Sequence, residues 1–155
     1  MGLALDSARG ELQKRPEAEG SLSHMFENSP TDGPEIAFQK HLTSGRFMLQ
    51  RGVTSGSWVY YPRAVAPLTG EDLEWVEASG LGTVYSTTVV RKRPPEPSSN
   101  IALIDLDEGP RMMSRVEGVD PGEVRIGMRV RARIATCETG SEARHIVFDL
   151  AGAAQ

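Results

Sequence analysis

The spacing of apolar residues changes twice along the chain. Residues 1–33 are rich in Glu, Ser, Gly and Pro, show no sustained apolar period and run into the breaker cluster Ser29-Pro30-Thr31-Asp32-Gly33-Pro34. Such a segment is expected to be a largely disordered tail, with at most a weak helical turn near Leu12–Lys14. From Glu35 the pattern shifts, and Ile36, Phe38 and Leu42 supply the apolar anchors of a helix over 34–45. Pro34 suits its first position, where no N–H is needed, and Gly45 suits its end. Next, Arg46–Gln50 alternates Phe47 and Leu49 with polar neighbours, and Trp58, Tyr60 and Tyr61 form a second short extended stretch. Together they predict a small hairpin domain over 46–71.

The remainder, 72–150, reads as strands. Glu74–Ser79 leads to Gly80-Leu81-Gly82 and then Thr83–Val90, a dense β-branched run whose glycines allow a bend or bulge. Pro94-Pro95-Glu96-Pro97 makes a stiff loop before a strand at Asn100–Leu106, and Asp107-Glu108-Gly109 turns into another at Arg111–Val116. The cleanest alternation sets Val124, Ile126, Met128, Val130, Ala132 and Ile134 against Arg125, Gly127, Arg129, Arg131 and Arg133. It predicts one long strand with a buried face and a basic, solvated face. His145–Leu150 closes the set, and 151–155 is a short tail. The expected fold is therefore mainly β: a C-terminal five-stranded barrel of the OB type, preceded by the helix and the hairpin.

The hairpin carries a second pattern. Gln50-Arg51-Gly52-Val53-Thr54-Ser55-Gly56 and Tyr61-Pro62-Arg63-Ala64-Val65-Ala66-Pro67-Leu68-Thr69-Gly70 have the frame of a zinc ribbon, two tight knuckles separated by a loop. The four positions where thiolates belong hold Gly52, Ser55, Ala66 and Thr69. A structural zinc site needs four donors such as thiolate or imidazole. Gly52 and Ala66 have no side-chain donor, and neutral hydroxyls are poor zinc ligands. His24, His41, His145 and Cys137 are scattered without knuckle spacing. No bound metal is expected, and an apolar cluster of Trp58, Tyr60, Tyr61, Val65 and Leu68 is expected to hold the ribbon, helped by Pro62 and Pro67.

Bulk properties narrow the classes. The 155 residues, 39% hydrophobic and 25% charged, suit one compact domain with an appendage. A formal net charge of -4 argues against a general nucleic-acid binder. No apolar run reaches the roughly 18 residues of a membrane span, and the start lacks a signal-peptide core. A single cysteine excludes an intrachain disulfide, so a cytoplasmic setting is the simplest expectation.

The order of several segments resembles the DUF35 family. They are Leu49-Gln50-Arg51 before the first knuckle, Pro62-Arg63 before the second, Leu73-Glu74-Trp75 after it, Ser79–Ser86 with its Gly-Leu-Gly-Thr-Val core, Leu106-Asp107-Glu108-Gly109-Pro110-Arg111, and Ile126-Gly127-Met128-Arg129-Val130. The likeness covers about 35–150. It implies a helical lead, a rubredoxin-like zinc ribbon and an OB fold, here with the ligand cysteines lost. It also implies an accessory or scaffold protein that partners a thiolase-like, hydratase or aldolase enzyme of lipid, polyketide or steroid metabolism. A CoA thioester is then a candidate ligand, and self-association is left open.

Candidate contacts follow. Arg91-Lys92-Arg93 enters the proline-rich loop beside the usual OB ligand face, where three cations can meet the phosphates of CoA or a nucleic acid. Arg111 joins them as a candidate polyanion contact, and with Arg115 can extend the Arg125, Arg129, Arg131 and Arg133 stripe. The stripe reads equally as a solvated strand face, with Asp105, Asp107, Glu108 and Glu117 able to neutralise it. The alternative function is a single-stranded nucleic-acid module, but that needs aromatic platforms, and the barrel offers only Trp75, Tyr85 and Phe148. For catalysis, His145 and the Asp105/Asp107 pair are explained by strand and turn positions. No nucleophile, base and orienting group share a spacing, so a non-catalytic protein is expected.

Overall fold

A computed structural model describes residues 32–136 and 143–152. Nearly all of the expected tail, with His24, and also Cys137 lie outside the described residues. Helix α1 spans Pro34–Thr43, with Pro34 in its first turn, Glu35 at the positive end of its dipole, and Lys40 and His41 at the negative end. Gly45, at a φ of 80°, turns the chain away. The helix buries Ala37, Phe38 and Leu42 and lies against strands of both sheets.

The smaller sheet contains β1 (Met48–Gly52), β2 (Trp58–Val59) and β3 (Leu73–Glu77) in the order β2-β1-β3, all antiparallel. Three expectations change here. The strand expected at Arg46–Gln50 starts and ends two residues later, because its ladder runs from Met48 opposite Glu77 to Gly52 opposite Leu73. The stretch at Trp58–Tyr61 is extended in the ladder only at Trp58 and Val59. The strand after Asp72 belongs to this sheet through its pairing with β1, so the chain enters the barrel only after Ala78, whose N–H bonds the Phe47 carbonyl.

The larger sheet holds β4 (Leu81–Val90), β5 (Ser99–Leu106), β6 (Arg111–Ser114), β7 (Arg129–Thr136) and β8 (Arg144–Leu150) in the order β6-β5-β4-β7-β8. It curls until its edges meet. Val116 bridges Phe148 in parallel, Glu117 N–H donates to the Phe148 carbonyl at 2.7 Å, and Phe148 N–H donates to the Arg115 carbonyl at 3.0 Å. Buried Asn100 ties the seam down, its amide donating to the Val116 carbonyl at 2.7 Å and accepting from the Val116 N–H at 2.8 Å. This is the five-stranded OB barrel expected from the sequence, and closure removes its free edges.

Strand β4 bends at a register shift between Val84 and Ser86, which leaves Tyr85 unpaired and pointing out. Gly82 is needed for close approach: a Cβ there would lie 2.7 Å from Ile104 Cγ2 and 2.8 Å from the Asp105 carbonyl. The long alternating strand from Val124 to Ile134 is a correction. Only Arg129–Thr136 is strand. Gly127, at a φ of 88°, breaks the run and sends its N–H to the Val84 carbonyl, so Ile126 is 71% exposed although Val124 is buried. One core unites the molecule: Phe38, Leu42, Phe47 and Leu49 from the helix and small sheet pack with Val84, Ile104, Val130 and Phe148 from the barrel.

Candidate functional site

The ribbon keeps both knuckles without the ligands that the frame implies. In the first, Gly56 N–H donates to the Gly52 carbonyl at 2.9 Å; in the second, Gly70 N–H donates to the Ala66 carbonyl at 2.9 Å. The two closing glycines have φ of 67° and 69°, so both turns demand a residue without a Cβ penalty. The four ligand positions therefore sit at equivalent places in two matching turns. They do not fit a zinc ion, because two of them have no donor and the space beside Gly52 is filled. A Cβ on Gly52 would lie 2.6 Å from Ser55 Oγ and 2.7 Å from Glu71 Oε1. Among the described residues no group of three His, Cys, Asp or Glu side chains is placed to hold a metal.

Polar side chains connect the ribbon internally. Glu71 Oε2 accepts the Thr54 and Ser55 N–H groups at 2.7 and 2.9 Å, and its Oε1 accepts the Thr69 hydroxyl at 2.9 Å. These bonds, led by those from the Ser55 hydroxyl and amide, hold the carboxyl well below its usual range, at about 2. Two residues before Gly52 in β1, buried Gln50 accepts the Arg63 N–H at 2.7 Å and donates to the Arg63 carbonyl at 2.9 Å. It fastens the lead into the second knuckle. The helix joins in as well: the Tyr61 hydroxyl donates to Glu35, and that bond, with burial and the Glu35 charge, pushes the phenol up to about 12.

Two of the five residues of the expected apolar cluster reach the core. Trp58 and Tyr60 pack against the core, and Phe38 stacks on Trp75 at 6.3 Å and meets Tyr60 edge-on at 6.4 Å. Tyr61, Val65 and Leu68 face outward, with Leu68 99% exposed. The correction has a geometric cause. The knuckle turns direct Val65 and Leu68 away from the sheet while the backbone of Ala66 stays inside, its N–H bonded to the Glu71 carbonyl. Between this apolar rim and the β5–β6 turn lies a cleft of about 320 Å³, lined by Trp58, Tyr60, Pro67 and Leu68 on one side and Pro110 and Arg111 on the other.

The four expected anion contacts do not form one cluster. Arg91, Lys92 and Arg93 are exposed just past the end of β4, and Lys92 pairs with Glu96 at 3.2 Å. Arg111 stands opposite Asp105, which pairs with Thr83 at the other end of β4. Eight strand residues separate the two places, roughly 25 Å. Arg111 is also engaged: it forks onto Asp105 at 2.6 and 3.1 Å and lies 3.2 Å from the centre of the Tyr85 ring. Half of the arginine stripe is neutralised, through Arg129 and Arg133. Arg129 forks onto Asp107 at 2.7 Å, Arg133 forks onto Asp149 and reaches Glu117, and Arg125 bonds the Gly122 carbonyl. Glu108, expected among the neutralising acids, instead accepts the Ser79 N–H at 2.6 Å.

A closed five-stranded barrel preceded by one helix and a small three-stranded sheet defines a class, the OB-fold proteins with an N-terminal appendage. A family profile described as the C-terminal OB-fold domain of ChsH2 matches residues 75–135. The chain is 45% identical over 64 residues to the 3-oxo-4,17-pregnadiene-20-carboxyl-CoA hydratase alpha subunit of Mycobacterium tuberculosis, covering 39% of this chain and 20% of that protein. It is 32% identical over 84 residues to a DUF35 domain-containing scaffold protein of Pyrococcus furiosus, covering 49% and 60%. A solved chain titled Ltp2-ChsH2(DUF35) aldolase superposes with a TM-score of 0.67 at 28% identity, over 79% of this chain and 98% of that one. The chain thus spans a fifth of the hydratase subunit and about three fifths of the archaeal scaffold protein. In sequence and in fold the chain is similar to proteins of the DUF35 family.

Proposed function

We propose that the protein is a non-catalytic accessory subunit, a scaffold for an acyl-CoA enzyme of the hydratase, aldolase or thiolase type. The observation that carries this reading is the match along 98% of a solved chain described as Ltp2-ChsH2(DUF35) aldolase. The match to a CoA hydratase subunit points the same way. The surface supports it. Ile36 on α1 and Val53, Tyr61, Val65 and Leu68 on the ribbon are exposed apolar groups, the kind a partner covers. In this reading the helix and ribbon dock the enzyme. The barrel stands at the thioester entrance, with Arg91, Lys92 and Arg93 offered to the CoA phosphates. No zinc takes part. The setting is cytoplasmic, in keeping with one cysteine in the whole chain and with no described helix long and apolar enough to cross a membrane.

The single-stranded nucleic-acid alternative gains nothing from the fold. Three members of its arginine track, Arg111, Arg129 and Arg133, are paired with Asp105, Asp107, Glu117 and Asp149. The deciding experiment co-expresses the chain with hydratase, aldolase and thiolase subunits from its own organism. The expected result is a stoichiometric complex in size-exclusion chromatography whose thioester turnover falls when the chain is omitted, while the chain alone turns over nothing. Calorimetry with an acyl-CoA, on the complex and on the free chain, then reads the role of Arg91–Arg93. Turnover by the free chain, or enzyme activity indifferent to it, contradicts the proposal.

A further inference from the structure

We infer that Glu71 occupies the structural role of the missing metal, its carboxylate serving as the cross-link between the two knuckles. A zinc ion in a ribbon has one mechanical task, to hold two turns from different strands against each other. In this chain one oxygen of Glu71 takes two successive amides of the first knuckle, Thr54 and Ser55, and the other takes the Thr69 hydroxyl of the second. Successive N–H groups pointing to one spot form an anion-binding concavity. The anion that fills it here is covalently part of the chain.

The position is as informative as the bonds. A Cβ on Gly52, the first ligand position, would fall 2.7 Å from Glu71 Oε1 and 2.9 Å from its Cδ. A cysteine there and the carboxylate compete for one space, so the glycine and the glutamate are two halves of a single substitution. Ser55 and Thr69, at the second and fourth positions, both bond the carboxylate through their hydroxyls. Three of the four ligand positions therefore serve Glu71, either by bonding it or by leaving it room. Ala66, the third, contributes the backbone N–H that bonds the Glu71 carbonyl at 3.0 Å.

The test compares the full chain with E71A and E71Q by amide hydrogen exchange, with the barrel amides of Ile104 and Val130 as an internal control. E71A is expected to speed exchange at Gly56 and Gly70 at least tenfold while the barrel amides hold, and E71Q to fall between. Unchanged exchange at Gly56 and Gly70 in E71A overturns the inference. A second arm restores the thiolates with G52C/S55C/A66C/T69C, with and without E71A, and titrates cobalt, whose tetrathiolate absorption is diagnostic. Cobalt is expected to bind at least tenfold more tightly when Glu71 is removed. Equal affinity in the two backgrounds contradicts the claim that carboxylate and metal share one place.

Discussion

The barrel and the ribbon are stabilised by opposite means. The barrel buries Val84, Ile104, Val130 and Phe148 almost completely, closes its own hydrogen-bond ladder, and lets its charges pair on the outside. The strands of the ribbon share that core through Leu49, but its two knuckles have little interior of their own. Several of its apolar residues point to solvent, and its turns are fixed by the carboxylate of Glu71 and the amide of Gln50. Burial is worth about 25 cal/mol per Å² and is indifferent to direction, whereas hydrogen bonds are modest in net energy but specify geometry. A region that keeps its shape through directional bonds is free to spend apolar side chains on its surface. That is what a docking element requires.

Removing a barrel side chain should have the largest effect. Phe148→Ala is expected to cost about 3–5 kcal/mol in denaturant unfolding, because the cavity it leaves lies in a closed barrel. Gln50→Ala should cost less, about 1–3 kcal/mol, since it orphans the Arg63 N–H and carbonyl. Its signature is local: exchange at Arg63 should rise more than exchange in β5. A loss confined to the barrel amides breaks the contrast between the regions. Acid should sharpen it. Glu71 titrates near 2 when folded, below the usual carboxylate range, so its contribution is complete above about pH 4.5 and fades as pH falls toward 2. Asp105 and Asp107 are also depressed, by the hydrogen bonds from Arg111 and Arg129. Those pairs lie on the outer face of a barrel whose core does not titrate. Amides of the knuckles should therefore lose protection before those of the barrel in an acid titration followed by NMR. The smallest effect belongs to Leu68→Ser. At 99% exposure it should change stability by less than about 0.5 kcal/mol, while weakening the proposed complex in size-exclusion chromatography.

Much of this was legible from the residues. Pro34 and Gly45 bracketed the helix, the β-branched run at Thr83–Val90 announced β4, and the two matching knuckles showed in the spacing of Gly52 to Gly56 and Ala66 to Gly70. Pairing of the arginine stripe with Asp105, Asp107 and Glu117 could be anticipated from composition, although Asp149 could not. What escaped depended on tertiary closure. Glu71 reads as an ordinary surface acid in a Thr-Gly-Glu-Asp turn, and only the folded knuckles bring Thr54 and Ser55 to it. Alternation through Val124–Ile134 suggested a strand because period two ignores backbone angles. Gly127 at positive φ was the signal against it. Leu68 and Val65 looked like core because hydrophobicity was read without the direction that a turn imposes.

Native mass spectrometry of the untagged chain, purified from zinc-supplemented medium, tests the central contrast most directly. An intact folded protein at the mass of the polypeptide alone is the expected result, with unfolding unchanged by a chelator. A mass greater by one zinc ion per chain, lost together with stability on chelation, would contradict a ribbon held by its own side chains.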